Sequence, residues 1–107
     1  MVIFVKKIKI VTVCQFGMGT TILMMTLVKE ICAEEGIPAE VYAENIDTVR
    51  GHVDADIIVT NAALVKQLEG LGKPVVGLED FVNKEAAKKK LWEALKKLGY
   101  TKESFES

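Results

Sequence analysis

The chain has 107 residues, half of them hydrophobic and 27% charged, the make-up of one globular domain with one core. A net charge of -1 leaves no electrostatic footprint for nucleic acid or an anionic membrane. No run approaches the ~18 continuous apolar residues of a membrane span, and Met1–Lys7 lacks the apolar length and cleavage pattern of a secretory signal, so a cytoplasmic protein is expected.

The first element read along the chain is Ile8–Val13, β-branched and mostly apolar, as in a buried parallel strand. It ends on Cys14. From Thr20 to Glu35 the period becomes helical. Met24, Leu27, Val28, Ile31 and Cys32 recur at three and four and mark the core face, and Gly36 is the stop. Pro38 opens a short strand, Ala39–Ala43. Asn45–Val53 carries the weakest pattern and is read as a helical turn. Asp56–Thr60 is a second buried strand, with Asn61 placed to cap a short helix through Glu69. Gly70, Gly72 and Pro74 punctuate the turn into a strand at Val75–Leu78. Asn83 caps a last helix whose apolar face is Ala87, Leu91, Leu95 and Leu98, and Gly99 ends it. Residues 101–107 are polar and expected to fray.

Strands alternating with helices imply an α/β three-layer sandwich. A four-stranded parallel sheet, flanked by helices, is expected in the Rossmann-like order 2-1-3-4, set by right-handed crossovers. One domain spans 1–107, with its core at about 8–99. Ligands of such sheets bind beyond the carboxyl ends of the strands where the order reverses, and the connection holding Cys14 lies there.

That connection reads Cys14-Gln15-Phe16-Gly17-Met18-Gly19-Thr20-Thr21. Gly17 and Gly19 tolerate positive φ and allow close approach of a ligand. Amides from Gln15 to Thr21 are thus expected to form an inward-facing nest at the positive end of the following helix, with two threonine hydroxyls as further donors. The nest suits a dianionic phosphate, held without metal, cofactor or cationic side chain. It also acts on the thiol. Lowering a cysteine pKa from about 8.5 by about two units takes ~2.7 kcal/mol, of which a helix dipole supplies roughly 0.3–2 and loop amides the rest. A depressed pKa is expected for Cys14 and none for Cys32. A disulfide between them is disfavoured: Cys32 falls ~18 Å along the helix, whereas bonded cysteines keep Cα atoms within about 7 Å. The competing reading of Cys14 is a structural cysteine beside a tight turn.

Spacing narrows the chemistry. Low-molecular-weight tyrosine phosphatases, which share this sheet topology, keep Cys-x5-Arg; here that position is Thr20, the lone arginine is Arg50, and no Asp-Pro acid occurs. A bidentate arginine is hard to replace, so hydrolysis is disfavoured. Gly-Lys-Ser/Thr and Cys-x-x-Cys are both absent, which argues against a Walker loop and a thioredoxin-like reaction. A phosphate cup around a thiolate that does not promote water attack suits a carrier.

Ile10–Cys14, Gly17-Met18-Gly19-Thr20-Thr21, Ala55–Thr60, Pro74–Leu78 and Phe81–Glu85 together resemble IIB components of the bacterial phosphoenolpyruvate-dependent sugar phosphotransferase system (PTS). The likeness is to the lactose/cellobiose-type IIB superfamily in its galactitol/ascorbate-like branch, over roughly residues 8–98. The resemblance implies a phosphotransferase relay. A IIA phosphohistidine donates to Cys14, and phosphocysteine donates to a sugar or polyol held by the membrane IIC partner. The protein would then be cytoplasmic and transiently at the inner membrane face. It carries over Cys14 as nucleophile and Gly17, Gly19, Thr20 and Thr21 as phosphate loop. Gln15 stands where this branch usually has glycine, and threonines replace the commoner serines. A weakly active cysteine phosphatase and a non-catalytic regulatory or binding module of the same fold are the alternatives.

Among the neighbours, Met24 is read as core, and Phe16 and Met18 as an adaptable docking surface. His52 is read as a solvated loop residue, Cys32 as a buried inert thiol, and Asp56 and Asp80 as caps. Lys88–Lys90 and Lys96–Lys97 are read as the solvated face of their helix.

Overall fold

The computed structural model describes residues 7–13, 18–44, 55–68, 70, 72–79 and 83–101, with Met18 described by its backbone alone. The first strand, β1, is Ile8–Val13. Helix α1 runs Met18–Glu35, strand β2 Ala39–Glu44 and strand β3 Ile57–Asn61. A 3-10 turn at Ala62–Leu64 leads into the single helical turn α2, Val65–Leu68. Strand β4 is Val75–Leu78 and helix α3 Lys84–Lys97. The sheet order is β2-β1-β3-β4 and every pairing is parallel. The expected topology is thus the observed one. The helical turn expected at Asn45–Val53, His52, Asp80 and the tail beyond Thr101 lie outside the described residues.

Side chains alternate across the sheet and build a core on each face. Ile8, Ile10, Ile57, Val59, Val76 and Leu78 meet the stripe of α1 and the inner side of α3. Val11, Val13 and Ile58 meet Leu64 and Leu68 on the other face. All five residues of the α1 stripe, Met24 included, are buried. On α3, Ala87, Leu91 and Leu95 are buried as expected. Leu98 is not: it is the C-cap residue and 37% exposed, while Trp92 and Ala94 join the core instead. The buried side of a helix spans more than one i+4 row, and Leu98 falls where the chain is already leaving it.

Both long helices end alike. Gly36 has φ 69° and Gly99 φ 91°, a region that favours glycine. The amide of Ile37 bonds the carbonyl of Cys32 at 2.9 Å, and that of Tyr100 the carbonyl of Leu95 at 2.9 Å, the 6→1 bond of the Schellman motif in each case. Between the helices, Lys84 pairs with Glu34 at 2.8 Å and Glu30 at 3.3 Å, and the Trp92 indole donates to Glu35 at 3.0 Å. The bond from Lys84 holds the Glu34 carboxyl below the usual carboxylate range. On the other face, a Cβ at Gly77 would collide with Cγ2 of Val65 and reach 3.3 Å from the Ala62 Cα, so glycine there lets the 3-10 turn and α2 lie against β4. Asp56 ties the start of β3 to β1: its carboxylate accepts from the Lys9 amide at 2.9 Å, and its own amide donates to the Lys9 carbonyl at 2.8 Å. The expected capping role of Asp56 takes this form.

Candidate functional site

The strand order reverses between β1, which pairs with β2 on one side, and β3 on the other. At the carboxyl end the rungs are Val13 with Glu44 and Val13 with Thr60. Cys14 is the residue bonded to Val13. Cys14, Gln15, Phe16 and Gly17 lie outside the described residues; Met18, Gly19, Thr20 and Thr21 open α1.

The helix therefore starts two residues before the expected Thr20. Gly19, with its low helix propensity, reads as loop in the sequence, yet it is tolerated in a first turn that α1 anchors further along by its buried stripe. This corrects one expectation. Gly19 is helical and is not among the residues with left-handed backbone, so positive φ is not what it supplies. Among the described residues nothing lies within 4 Å of where its Cβ would be, so a side chain there would meet open space. The amides of Met18, Gly19 and Thr20 fall in the first turn, where backbone N–H groups lack an intrahelical acceptor. No acidic residue occupies that turn, and the residue before it, Gly17, has no side chain with which to cap it. Thr20 is half-buried, whereas Thr21 is enclosed at 1% exposure.

Buried polarity collects at this end of the sheet. The buried polar side chains among the described residues are Thr12, Thr21, Thr60 and Asn61, two at the end of β1 and α1's start and two at the end of β3. The Thr12 hydroxyl donates to the Tyr42 carbonyl at 3.0 Å and lies 3.4 Å from the Thr21 carbonyl, so it links β1 to β2 and reaches towards the first turn of α1. Sequence reasoning passed over Thr12; the available signal was a hydroxyl inside a β-branched run, two residues before the thiol. The Thr60 hydroxyl is buried without a hydrogen-bond partner among the described residues. Asn61 is 5% exposed at the end of β3. It precedes the 3-10 turn but makes no side-chain capping bond to it, contrary to the expected cap.

The other cysteine is a free thiol in the core, and burial pushes its pKa up to about 11. It is inert at neutral pH, in line with its expected role. No group of three or more histidine, cysteine or acidic residues among the described residues is placed to hold a metal. Nor is any described helix long and apolar enough to cross a membrane. A groove of about 450 Å³ runs along α3 past Trp92, Lys88 and Lys96, beside Glu35 at the far end of α1, and is lined by no cysteine or histidine.

A family model, the lactose/cellobiose-specific IIB subunit of the PTS system, matches residues 9–93. The chain belongs to this family. It is accordingly a phosphoryl-transfer component of a sugar phosphotransferase system, in which IIB domains work with IIA and IIC components. Among solved structures it is similar to the lactose-specific IIB component domain of the phosphoenolpyruvate:carbohydrate phosphotransferase system from Streptococcus pneumoniae. The TM-score is 0.63 at 16% identity, over 85% of this chain and 97% of that one. An identity that low bears on the fold alone. No curated protein matches the chain.

Proposed function

We propose that this IIB chain is a phosphocysteine carrier, with Cys14 as nucleophile and the amides of Gln15, Phe16, Gly17, Met18, Gly19, Thr20 and Thr21 as its phosphate cradle. The observation that carries the reading is the junction. In a chain of this family, the cysteine bonded to the end of β1 is followed four residues on by the first turn of an 18-residue helix with no acidic residue in it.

In the first half-reaction the Cys14 thiolate attacks the phosphorus of a phosphohistidine on a IIA protein. The S–P bond forms as the N–P bond breaks, and the imidazole leaves with that electron pair. In the second, a hydroxyl of an ascorbate- or galactitol-like sugar or polyol held by IIC attacks the same phosphorus. The O–P bond forms, the thiolate leaves, and the hydroxyl proton passes to solvent. Thiolate stabilisation by first-turn amides serves both steps, since it activates the nucleophile and eases its departure. Thr20 in place of arginine withholds the bidentate clamp that supports hydrolysis. The protein then works as a single domain in the cytoplasm, meeting IIC at the inner face of the membrane, and Phe16 and Met18 take part in docking.

Intact mass after incubation with the general phosphotransfer proteins and a IIA protein tests the reading. A carrier gains ~80 Da, stable on the minutes scale and lost in Cys14→Ser. Turnover of p-nitrophenyl phosphate with little adduct would assign a phosphatase, and neither signal would leave a binding module.

A further inference from the structure

The outward face of the first two turns of α1 is apolar where a solvated helix face should be polar. Ile22 is 47% and Leu23 61% exposed, side by side, whereas the other large exposed apolar residues among those described, Tyr42 and Leu98 at 37% each, are not adjacent in sequence to another. Isolated exposed apolar residues are ordinary; adjacent ones beside a reaction centre are not. Thr26, one turn on, turns its hydroxyl back to donate to the Ile22 carbonyl at 2.9 Å, which spends its polarity inside the helix. One turn before, Gly19 is exposed, and among the described residues nothing lies within 4 Å of where its Cβ would be. From Ile10 to Val28 the chain carries no charged residue, and charge returns only at Lys29 and Glu30.

We infer that Gly19, Ile22, Leu23 and Thr26 form the surface on which the phosphohistidine-bearing donor protein docks. The inference rests on the carrier reading above and extends it to Ile22, Leu23 and Thr26, which that reading does not use. Direct transfer requires the donor's histidine to reach the Cys14 sulfur, so the donor must cover the surroundings of the β1–α1 connection. A protein interface of about 800 Å² per partner has a radius of ~16 Å. At 1.5 Å per residue, Ile22 and Leu23 lie only ~6 and ~7.5 Å along the axis from the start of α1, well inside such a footprint. An uncharged patch offers no counter-charge to a charged partner, whose desolvation would then go uncompensated. The donor's facing surface is therefore apolar and uncharged around its histidine. A membrane surface, which attracts lysine and arginine, finds none on this patch.

The test uses the full chain with Ile22→Lys and Leu23→Lys singly, and Leu98→Lys as a control for a lysine at an exposed apolar position elsewhere. The rate of ~80 Da adduct formation is followed against the concentration of a phosphorylated lactose/cellobiose-class IIA protein. Each α1 variant is expected to raise the donor KM about tenfold or more, with kcat, melting temperature and the rate of Cys14 alkylation by iodoacetamide unchanged; Leu98→Lys leaves all four unchanged. An unaltered donor KM in both α1 variants, with wild-type transfer intact, overturns the docking surface alone. A wild-type dimer that Leu23→Lys dissociates without slowing transfer overturns it in favour of a second copy as occupant. Wild-type protein that gains no adduct overturns the carrier reading and this surface with it.

Discussion

Helices α1 and α3 lie on the same face of the sheet and close at their C-termini with the same glycine motif, yet their N-termini are opposites. At the start of α3 the Asn83 side chain accepts from the Ala86 amide at 3.1 Å, and Glu85 sits in the first turn. Its outward face is mostly charged, with Glu85, Lys89, Glu93, Lys96 and Lys97 exposed. The start of α1 has a glycine before it, no acid in its first turn and no charge for its first eleven residues. The chain supplies α3 with its own anion and its own cap, whereas the first turn of α1 has no acid of its own. A first turn without an acid, at the switch point of a parallel sheet, is where the proposed phosphoryl group would meet the positive end of the helix dipole.

Making α1 resemble α3 is the largest test of that contrast. Gly19→Asp places a carboxylate in the open first turn, where there is room for it. At about 6 Å and an effective permittivity of about 20, a unit negative charge opposes each unit of phosphoryl charge by ~2.8 kcal/mol, about a hundredfold in rate or affinity. Phosphoryl acceptance should fall by at least that much. Stability should hold or rise, because the substitution removes a helical glycine and puts an anion at the positive end of the dipole. Adduct formation at the wild-type rate in a folded Gly19→Asp protein would show that no phosphoryl group visits this turn.

A second test asks how far the special character of α1 extends. Cys32 lies on the same helix, fourteen residues from its start, and its raised pKa of about 11 comes from burial. Below the unfolded value of about 8.5, both states hold the thiol proton and the full stability is present. Between about 8.5 and 11 the unfolded chain releases the proton while the folded one keeps it. Stability therefore falls as pH rises, by up to ~1.4 kcal/mol per pH unit. Denaturant unfolding of Cys14→Ser should show this alkaline loss, and adding Cys32→Ala should flatten it by that slope. Cys14 is expected to behave oppositely, with fast alkylation whose midpoint lies below 8.5. Equal alkylation rates and pH profiles for the two thiols would remove the distinction.

The sheet and the core were largely legible because their signals are periodic. The β-branched run of β1 and the three-four stripe of α1 leave little choice of face, and Gly36 and Gly99 stand where only a left-handed residue continues the chain. Polar residues were harder to place. Thr12 and Thr60 occupy strand positions that composition treats as equivalent, yet one hydroxyl reaches the carbonyl of a neighbouring strand and the other reaches nothing described. Such partners are set by tertiary register, which no local pattern records. The exposure of Ile22 and Leu23 was hidden for a similar reason. In a stretch without charge, the sequence marks the side facing the core by its spacing, but carries no charged residue to mark the side facing out.

The smallest test runs the comparison in reverse, by opening α3. Asn83→Ala removes the bond to the Ala86 amide and leaves Glu85 as the acidic residue of the first turn. Loss of such a cap costs about 1 kcal/mol, within a range of roughly 0.5–2. Part of that is cushioned, because Lys84 remains tied to Glu30 and Glu34 on α1, although exposed pairs contribute little. Denaturant unfolding should therefore show a lower midpoint with an unchanged slope. Phosphoryl acceptance and Cys14 alkylation should be those of the wild type, since this terminus serves the fold alone. A loss of transfer in Asn83→Ala out of proportion to its stability would mean that the two helix starts are coupled, and that the open end of α1 depends on the closed end of α3.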